Sequence, residues 1–333
     1  MKLYIISGVT GMTGSELARQ LIARGDKVIG FDNFFASSLK SVEDLLDNGN
    51  FIFHEFDLND KVQMESLFKE VLAVKQKISG GGVDSVVYVN CAAVVHTEHF
   101  YHVNSTFPTN VVAMKSFLDQ AIKAGAETFI NCSTSEVYSM DSYRDGGVCE
   151  KDFLTLANAE HSQRTSYAVG KLTTEFFIKD AVDEGKIKGC SIRFANVYSK
   201  SELYPKHIIP HILTSLKKTG KVELLENSKK NRRTFLHNFD SCSAVIALMD
   251  TPSALDGTVY NVGTQEELSI IELVKLCGKK LGIDNPEIIF NGYRASDPER
   301  RLLNTEKIQK ATGWKPIITI EKGIESCVTE MNK

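Results

Sequence analysis

Residues 2–14 read Lys2-Leu3-Tyr4-Ile5-Ile6-Ser7-Gly8-Val9-Thr10-Gly11-Met12-Thr13-Gly14. A short apolar run of strand character ends at Ser7 and enters a GxxGxxG turn. Helical spacing follows over residues 14–24, and a second apolar run over 27–32 (KVIGFD) predicts a second strand. The same rhythm continues along the chain. Strands are predicted over 51–56, 83–90, 127–132 and 189–194, and helices over 62–74, 110–124 and 166–183. Gly80, Gly81 and Gly82 break the chain before the fourth strand. Alternating β and α elements with strands apolar on both faces predict an α/β fold around a doubly wound parallel sheet.

Beyond residue 196 the alternation loosens. Helices are predicted over 210–218, 240–249 and 269–281, and Pro286, Pro298 and Pro316 punctuate the remainder. The expected organisation is a dinucleotide-binding part over 1–196, to which 238–263 contribute, and a smaller α/β part over 197–333 that binds substrate. In such folds ligands lie beyond the carboxyl ends of the strands.

The bulk properties exclude several classes. Hydrophobic residues make up 42% and charged residues 24% of 333 positions, enough for a large core. The net charge of −3 and the absence of long basic runs give no sign of a nucleic-acid or membrane partner. No apolar run approaches the roughly 18 residues of a membrane span, and the first residues already read as a strand. Seven cysteines occur at wide spacing without a CxxC pair, which predicts neither a disulfide framework nor a zinc site and suits the reducing cytoplasm. His96, Glu98, His99 and His102 lie close in sequence, but their spacing makes no compelling tetrahedral set, so no metal is expected.

The glycine turn has a chemical meaning where it stands. Glycines between a strand and a helix let backbone amides approach a pyrophosphate, and the helix dipole favours the anion. Asp32 ends the second strand, where a carboxylate accepts hydrogen bonds from the adenosine ribose and repels a 2′-phosphate, so NAD is expected over NADP. Asp57 closes the third strand near the expected adenine. A second constellation is Ser133-Thr134-Ser135-Glu136-Val137-Tyr138 with Tyr167-Ala168-Val169-Gly170-Lys171. Tyr167 and Lys171 are one helical turn apart. An ammonium near a phenol lowers its pKa, and the phenolate can take a proton from an alcohol while hydride leaves its carbon. Thr134 can align that alcohol.

Together with Asn90-Cys91-Ala92-Ala93, these motifs resemble the extended short-chain dehydrogenase/reductases, and more narrowly the NAD-dependent sugar-nucleotide epimerase/dehydratase family. Arg193-Phe194-Ala195-Asn196-Val197-Tyr198 looks like its R-x-x-N-x-Y-G run, and Arg233-Thr234-Phe235 with Asp240 like its R-x-F…D segment. Arg294 and Arg300 stand where the family carries arginines ahead of its final Gly-Trp-x-Pro, here Gly313-Trp314-Lys315-Pro316. The resemblance spans nearly the whole chain. It implies a Rossmann-type fold and NAD held by Gly8, Gly11, Met12, Thr13, Gly14, Asp32, Asn33, Asp57, Leu58, Ala92, Ala93, Tyr167 and Lys171. It implies a nucleotide-diphosphate sugar held by Asn196, Arg233, Arg294 and Ser135. It also implies a homodimer through the helices 110–124 and 166–183, to which Phe117, Phe176 and Phe177 are candidate contributors. Ser139 and Ser199 depart from glycines that commonly follow the two tyrosines.

The family opens by oxidising sugar C4 to a ketone, and the next step depends on the neighbours of Thr134. Thr134, Glu136, Tyr167 and Lys171 are the expected catalytic residues. Thr-Ser-Glu-Val-Tyr resembles certain 4,6-dehydratases, in which the glutamate is the base at C5, and equally the UDP-glucuronate decarboxylases. Ser135 stands where the commoner dehydratase run has an aspartic acid. The 208–212 run (IIPHI) looks like dehydratases, and 297–301 (DPERR) like decarboxylases. The leading expectation is 4,6-dehydration, with decarboxylation and 4-epimerisation as alternatives. A non-catalytic NAD-binding sensor or scaffold would have no need of Thr134, Tyr167 and Lys171.

Overall fold

The computed structural model describes residues 1–78, 85–139, 146–202, 204–294 and 297–333. In chain order the strands are β1 Leu3–Ser7, β2 Lys27–Asp32, β3 Phe51–Glu55, β4 Val86–Asn90, β5 Thr128–Thr134, β6 Lys188–Phe194, β7 Asn196–Tyr198, β8 Lys221–Leu224, β9 Arg232–His237, β10 Asp256–Val262, β11 Glu267–Ser269, β12 Glu287–Phe290 and β13 Arg300–Arg301. The helices are α1 Met12–Ala23, α2 Lys61–Ile78, α3 Val103–Phe107, α4 Met114–Lys123, α5 Thr165–Asp183, α6 Ile208–Thr219, α7 Asn238–Met249, α8 Ile270–Leu281, α9 Glu306–Thr312 and α10 Ile320–Met331.

Seven strands form one sheet in the order β10-β6-β5-β4-β1-β2-β3, every pair parallel. The chain leaves β1 toward β2 and β3 on one side, and resumes at β4 on the other. The switch point therefore lies between β1 and β4, at the turn quoted above. Alternation along β1 feeds two cores. Tyr4 and Ile6 pack with Leu17 and Leu21 of α1 and Val245 and Leu248 of α7, while Leu3 and Ile5 pack with Met114 and Phe117 of α4 and Ile178 of α5. A sheet covered on both faces explains why its strands read as apolar runs.

The later chain returns to this sheet before leaving it. α7 packs on α1, and β10 adds beside β6. Asp240, in the first turn of α7, accepts hydrogen bonds from the amides of Ile317 and Ile318 at 3.1 and 2.8 Å, and Trp314 Nε1 donates to Ser243 Oγ at 2.8 Å. The family-like Asp240 and Gly-Trp-x-Pro run thus tie the C-terminal segment to the main body. A second sheet orders β11-β9-β13, with β7 alongside the end of β9, and β8 pairs β12 in parallel.

Three expectations are corrected. The helix predicted over 110–124 is the end of a wider π turn over Pro108–Ala113 followed by α4, with α3 ahead of that turn. Pro108 lacks an amide for the ladder, and Asn110 is buried in a clamp on Val94, accepting from its amide at 2.7 Å and donating to its carbonyl at 3.1 Å. Phe117, a candidate interface residue, is wholly buried in the core, whereas Phe176 is 66% exposed. The strand predicted from 83 starts at Val86, and the glycines at 80–82 lie outside the described residues. No helix among the described residues is long and apolar enough to cross a membrane.

Candidate active site

A cleft of about 930 Å³ runs along the carboxyl ends of the main sheet. Its walls carry the glycine turn at one end and Glu136, Arg164, Arg233 and Arg301 at the other.

At the first end, Gly8 has φ +69°, and a Cβ there would meet the Ala92 amide nitrogen at 2.7 Å. A Cβ on Gly14 would fall 2.2 Å from the Gly8 carbonyl oxygen. Only glycine permits this approach of turn, helix and the loop after β4. The turn and the start of α1 line the cleft and fit a pyrophosphate, an anion that helix N-terminal amides bind. Asp32 organises the rim. Its carboxylate accepts from the Thr10 amide at 3.2 Å, the Phe34 amide at 2.9 Å and Ser37 Oγ at 3.2 Å. Asn33 Nδ2 donates to Asp57 at 3.0 Å. Burial opposes ionisation of Asp57, but the Asn59 amide and the side chains of Asn59 and Asn33 outweigh it and hold its pKa below the ordinary value. Met12, Thr13, Leu58, Ala92 and Ala93 line the same end, so every residue expected at the dinucleotide faces one cleft.

Midway, β5 delivers Thr134 and α5 delivers Tyr167 and Lys171. Tyr167 lies near enough to Thr134 for that side chain to favour its phenolate. Its ring stacks on Phe100 with centroids 3.9 Å apart and planes 7° apart, a contact the sequence did not reveal. The expected lowering of the Tyr167 pKa is corrected. Burial, then the negative charge of Glu136, push it up, and Thr134 offsets only part. Burial in turn lowers the Lys171 pKa, against the pull of Cys132, Cys91 and Glu175. Beneath them, Arg193 donates to Glu175 at 3.0 and 2.6 Å, and Ser133 Oγ donates to Glu175 at 2.6 Å. This buried pair fixes the end of β5 against α5.

At the far end Glu136 is held by two arginines. Arg301 Nη1 lies 2.7 Å and Arg164 Nη2 3.1 Å from its Oε1. Burial would raise the Glu136 pKa, but the charges of Arg301 and Arg164 outweigh it and bring it to about 2. Arg233 donates to the carbonyls of Arg232 and Glu299 and to Asp297 at 3.2 Å. Burial, then the charge of Arg301, lower its pKa to about 10. Asn196 and Arg294 also line the cleft, and Arg294 is set by its amide and carbonyl bonds to Asn227 at 2.8 and 2.9 Å.

One assignment is corrected here. Ser135 is 3% exposed and absent from the cleft wall, because the tight turn Ser135–Tyr138 points Thr134 and Glu136 outward and the residue between them inward. Arg300 pairs with Glu267 at 2.7 Å while Arg301 reaches Glu136, since neighbours on β13 face opposite sides. Arg164 was also missed, as it stands one residue before α5 with no motif around it. The histidine segment comes together more closely than its spacing suggested. His96, Glu98 and His99 place potential ligand atoms within 4.8 Å, although Glu98 already takes Tyr204 and Lys206, and His96 stacks on Tyr204 at 3.8 Å.

The chain is 26% identical over 338 residues to a dTDP-D-glucose 4,6-dehydratase of Mus musculus, covering 98% of this chain and 88% of that protein. It is 24% identical over 331 residues to UDP-glucuronic acid decarboxylase 1 of Arabidopsis thaliana, covering 98% and 69%. Its fold superposes on DesIV, a dTDP-glucose 4,6-dehydratase from Streptomyces venezuelae solved with NAD and TYD bound, with a TM-score of 0.84, 23% identity and coverage of 99% and 97%. The family model described as NAD dependent epimerase/dehydratase matches residues 4–263, and the chain belongs to that NAD-dependent enzyme family.

Proposed function

We propose that this enzyme oxidises C4 of a nucleotide-diphosphate sugar and then eliminates water across C5 and C6, as a nucleotide-sugar 4,6-dehydratase. The observation that carries the reading is the convergence of Thr134, Tyr167 and Glu136 on one stretch of the cleft, between the dinucleotide end and the arginines. NAD, when bound by the glycine turn and Asp32, supplies the hydride acceptor. Tyr167 takes the C4 hydroxyl proton and Thr134 holds the oxygen in line. A ketone at C4 acidifies the C5 proton, and Glu136 is the carboxylate that accepts it. Arg301 and Arg164 keep Glu136 ionised, hence always able to accept, at the expense of basicity. Asn196, Arg233 and Arg294 hold the diphosphate.

Decarboxylation is the second reading, and the arginine cluster favours it. Arg164 and Arg301 each keep a buried Nε without a hydrogen-bond partner among the described residues. Two such cations suit a C6 carboxylate, and CO2 loss beside a C4 ketone needs no acid for a leaving hydroxyl, the group that buried Ser135 does not supply. Incubation of the protein and NAD with UDP-, GDP-, CDP- and dTDP-linked hexoses and uronic acids, read by product mass, separates the readings. Loss of water from a hexose supports dehydration. Loss of CO2 from a uronic acid replaces it, and an isomer of unchanged mass makes the enzyme an epimerase.

The enzyme is further proposed to work in the cytoplasm, as seven free cysteines suit, and as a homodimer. Val112, Val169 and Phe176, at 64%, 38% and 66% exposure, leave an apolar surface beside α4 and along α5.

A further inference from the structure

Two cysteines stand side by side on the floor of the cleft. Cys91 directly follows β4 and Cys132 lies within β5. The strands pair Asn90 with Asn131, so the next positions are Cys91 and Cys132. Their Sγ atoms are 3.8 Å apart, both thiols are free and half-buried, and both line the cleft. A disulfide requires about 2.05 Å between sulfurs, with Cα atoms about 4.4–6.8 Å apart. Neighbouring strands are separated by about 4.8 Å, so side-chain rotation and a small backbone adjustment supply the closure. Cys190, Cys242, Cys277 and Cys327 are buried, and no other pair of cysteines among the described residues makes a thiol contact.

We propose that Cys91 and Cys132 form a peroxide-oxidisable dithiol whose closure to a disulfide weakens NAD binding. Cys132 is the attacking thiol. The Cys91 thiol, hydrogen-bonded to it, and the charge of Lys171 lower its pKa against burial, while the same contact and burial raise that of Cys91. The Cys132 sulfur attacks hydrogen peroxide. The O–O bond breaks, an S–O bond forms, and the departing hydroxide leaves as water with the thiol proton. Cys91 then attacks the sulfenic sulfur. The S–S bond forms, the S–O bond breaks, and a second water leaves with the Cys91 proton. Two thiols are oxidised by two electrons in all, and one peroxide is reduced to two waters.

Binding responds because the backbone after Cys91 is packed against the glycine turn. A Cβ on Gly8 would sit 2.7 Å from the Ala92 nitrogen and 3.0 Å from the Cys91 carbonyl carbon. Drawing Cys91 toward β5 cannot leave that contact in place, and the turn moves with it.

The test treats the reduced full-length protein with a stoichiometric amount of hydrogen peroxide. Peptide mass spectrometry maps the disulfides, and NAD is titrated before oxidation, after it, and after dithiothreitol. The expected result is a Cys91–Cys132 cross-linked peptide two hydrogens lighter, an affinity loss of tenfold or more, and recovery on reduction. Cys91→Ser and Cys132→Ser, each compared with its own untreated form, are expected to keep their NAD affinity under peroxide. Should either variant not fold, the cross-link map and the reversible affinity change of the natural protein decide alone. No cross-link between these residues, or a cross-link that leaves NAD affinity unchanged, overturns the proposal. Because no sugar substrate is used, the outcome is independent of which reaction follows C4 oxidation.

Discussion

Arg301 Nη1 and Glu136 Oε1 meet at 2.7 Å across 165 residues of chain, and the same oxygen accepts from Arg164 at 3.1 Å. This junction joins the end of β5 to β13 and sets the charge at the arginine end of the cleft. Glu136→Gln is expected to leave NAD binding near its original value and to slow product formation by about 10²-fold or more, while C4 oxidation persists as a trapped NADH absorbance. Unchanged product formation would make Glu136 a purely structural partner of the arginines.

The same pair predicts a pH dependence of stability. The Glu136 pKa is about 2 in the fold against an ordinary 4.5. The native state therefore binds fewer protons than the unfolded chain between these values, and the contribution is complete above pH ~4.5 and lost as pH falls toward about 2. Thermal melts of Glu136→Gln and the natural protein are expected to converge as the pH falls through that window. A difference that stays constant there would contradict the assignment.

Tyr167→Phe removes the only proposed acceptor of the C4 hydroxyl proton while keeping the stack on Phe100. Turnover is expected to fall by about 10²–10⁴-fold with NAD affinity little changed. Burial and Glu136 hold the phenol protonated at neutral pH. The oxidation rate of the natural protein is therefore expected to climb with pH through neutrality, and stopped-flow traces of NADH formation across pH would show it.

Asp32→Ala deletes an acceptor that serves the Thr10 and Phe34 amides and that is proposed to hold the NAD ribose. NAD affinity is expected to fall by about 10–100-fold, from the worth of hydrogen bonds to a charged group. NADP affinity is expected to fall less, since the carboxylate no longer opposes its 2′-phosphate. Fluorescence titrations with both nucleotides measure the change in preference.

Ser139 has φ +46° and ψ −110°, a conformation that glycine adopts freely and serine does not. Ser139→Gly is expected to stabilise the fold by about 0.5–1 kcal/mol, partly offset by the freedom glycine adds to the unfolded chain. Calorimetry is expected to show a melting temperature higher by about 1–3 °C, with Ser139→Ala giving no such gain.

Much of this was legible from residues 2–14 outward, for a physical reason. The glycine turn, Asp32 and the Tyr167–Lys171 spacing are local patterns that a strand, a turn or one helical turn fixes by itself. What escaped depends on contacts between distant segments. Nothing near Arg164 marks it, Phe100 is one aromatic among many, and the choice between Arg300 and Arg301 rests on the phase of a two-residue strand set by its pairing with β9. The rise in the Tyr167 pKa was missed because burial is a property of the whole cleft rather than of the helix carrying Tyr167 and Lys171.

The two faces of β13 have a consequence for how this sequence can change over evolutionary time. Arg300 and Arg301 are the same residue type with opposite duties, one toward Glu267 and one toward Glu136. Exchanging either for lysine disturbs one duty. Inserting one residue between Asp297 and Arg300 moves Arg300 to the place facing Glu136 and leaves Glu267 without its arginine, while deleting one moves Arg301 to the place facing Glu267 and Leu302 to the place facing Glu136. Composition at that point is nearly symmetric and length is not, so lineages of this enzyme are expected to hold the spacing of 297–301 more strictly than its spelling.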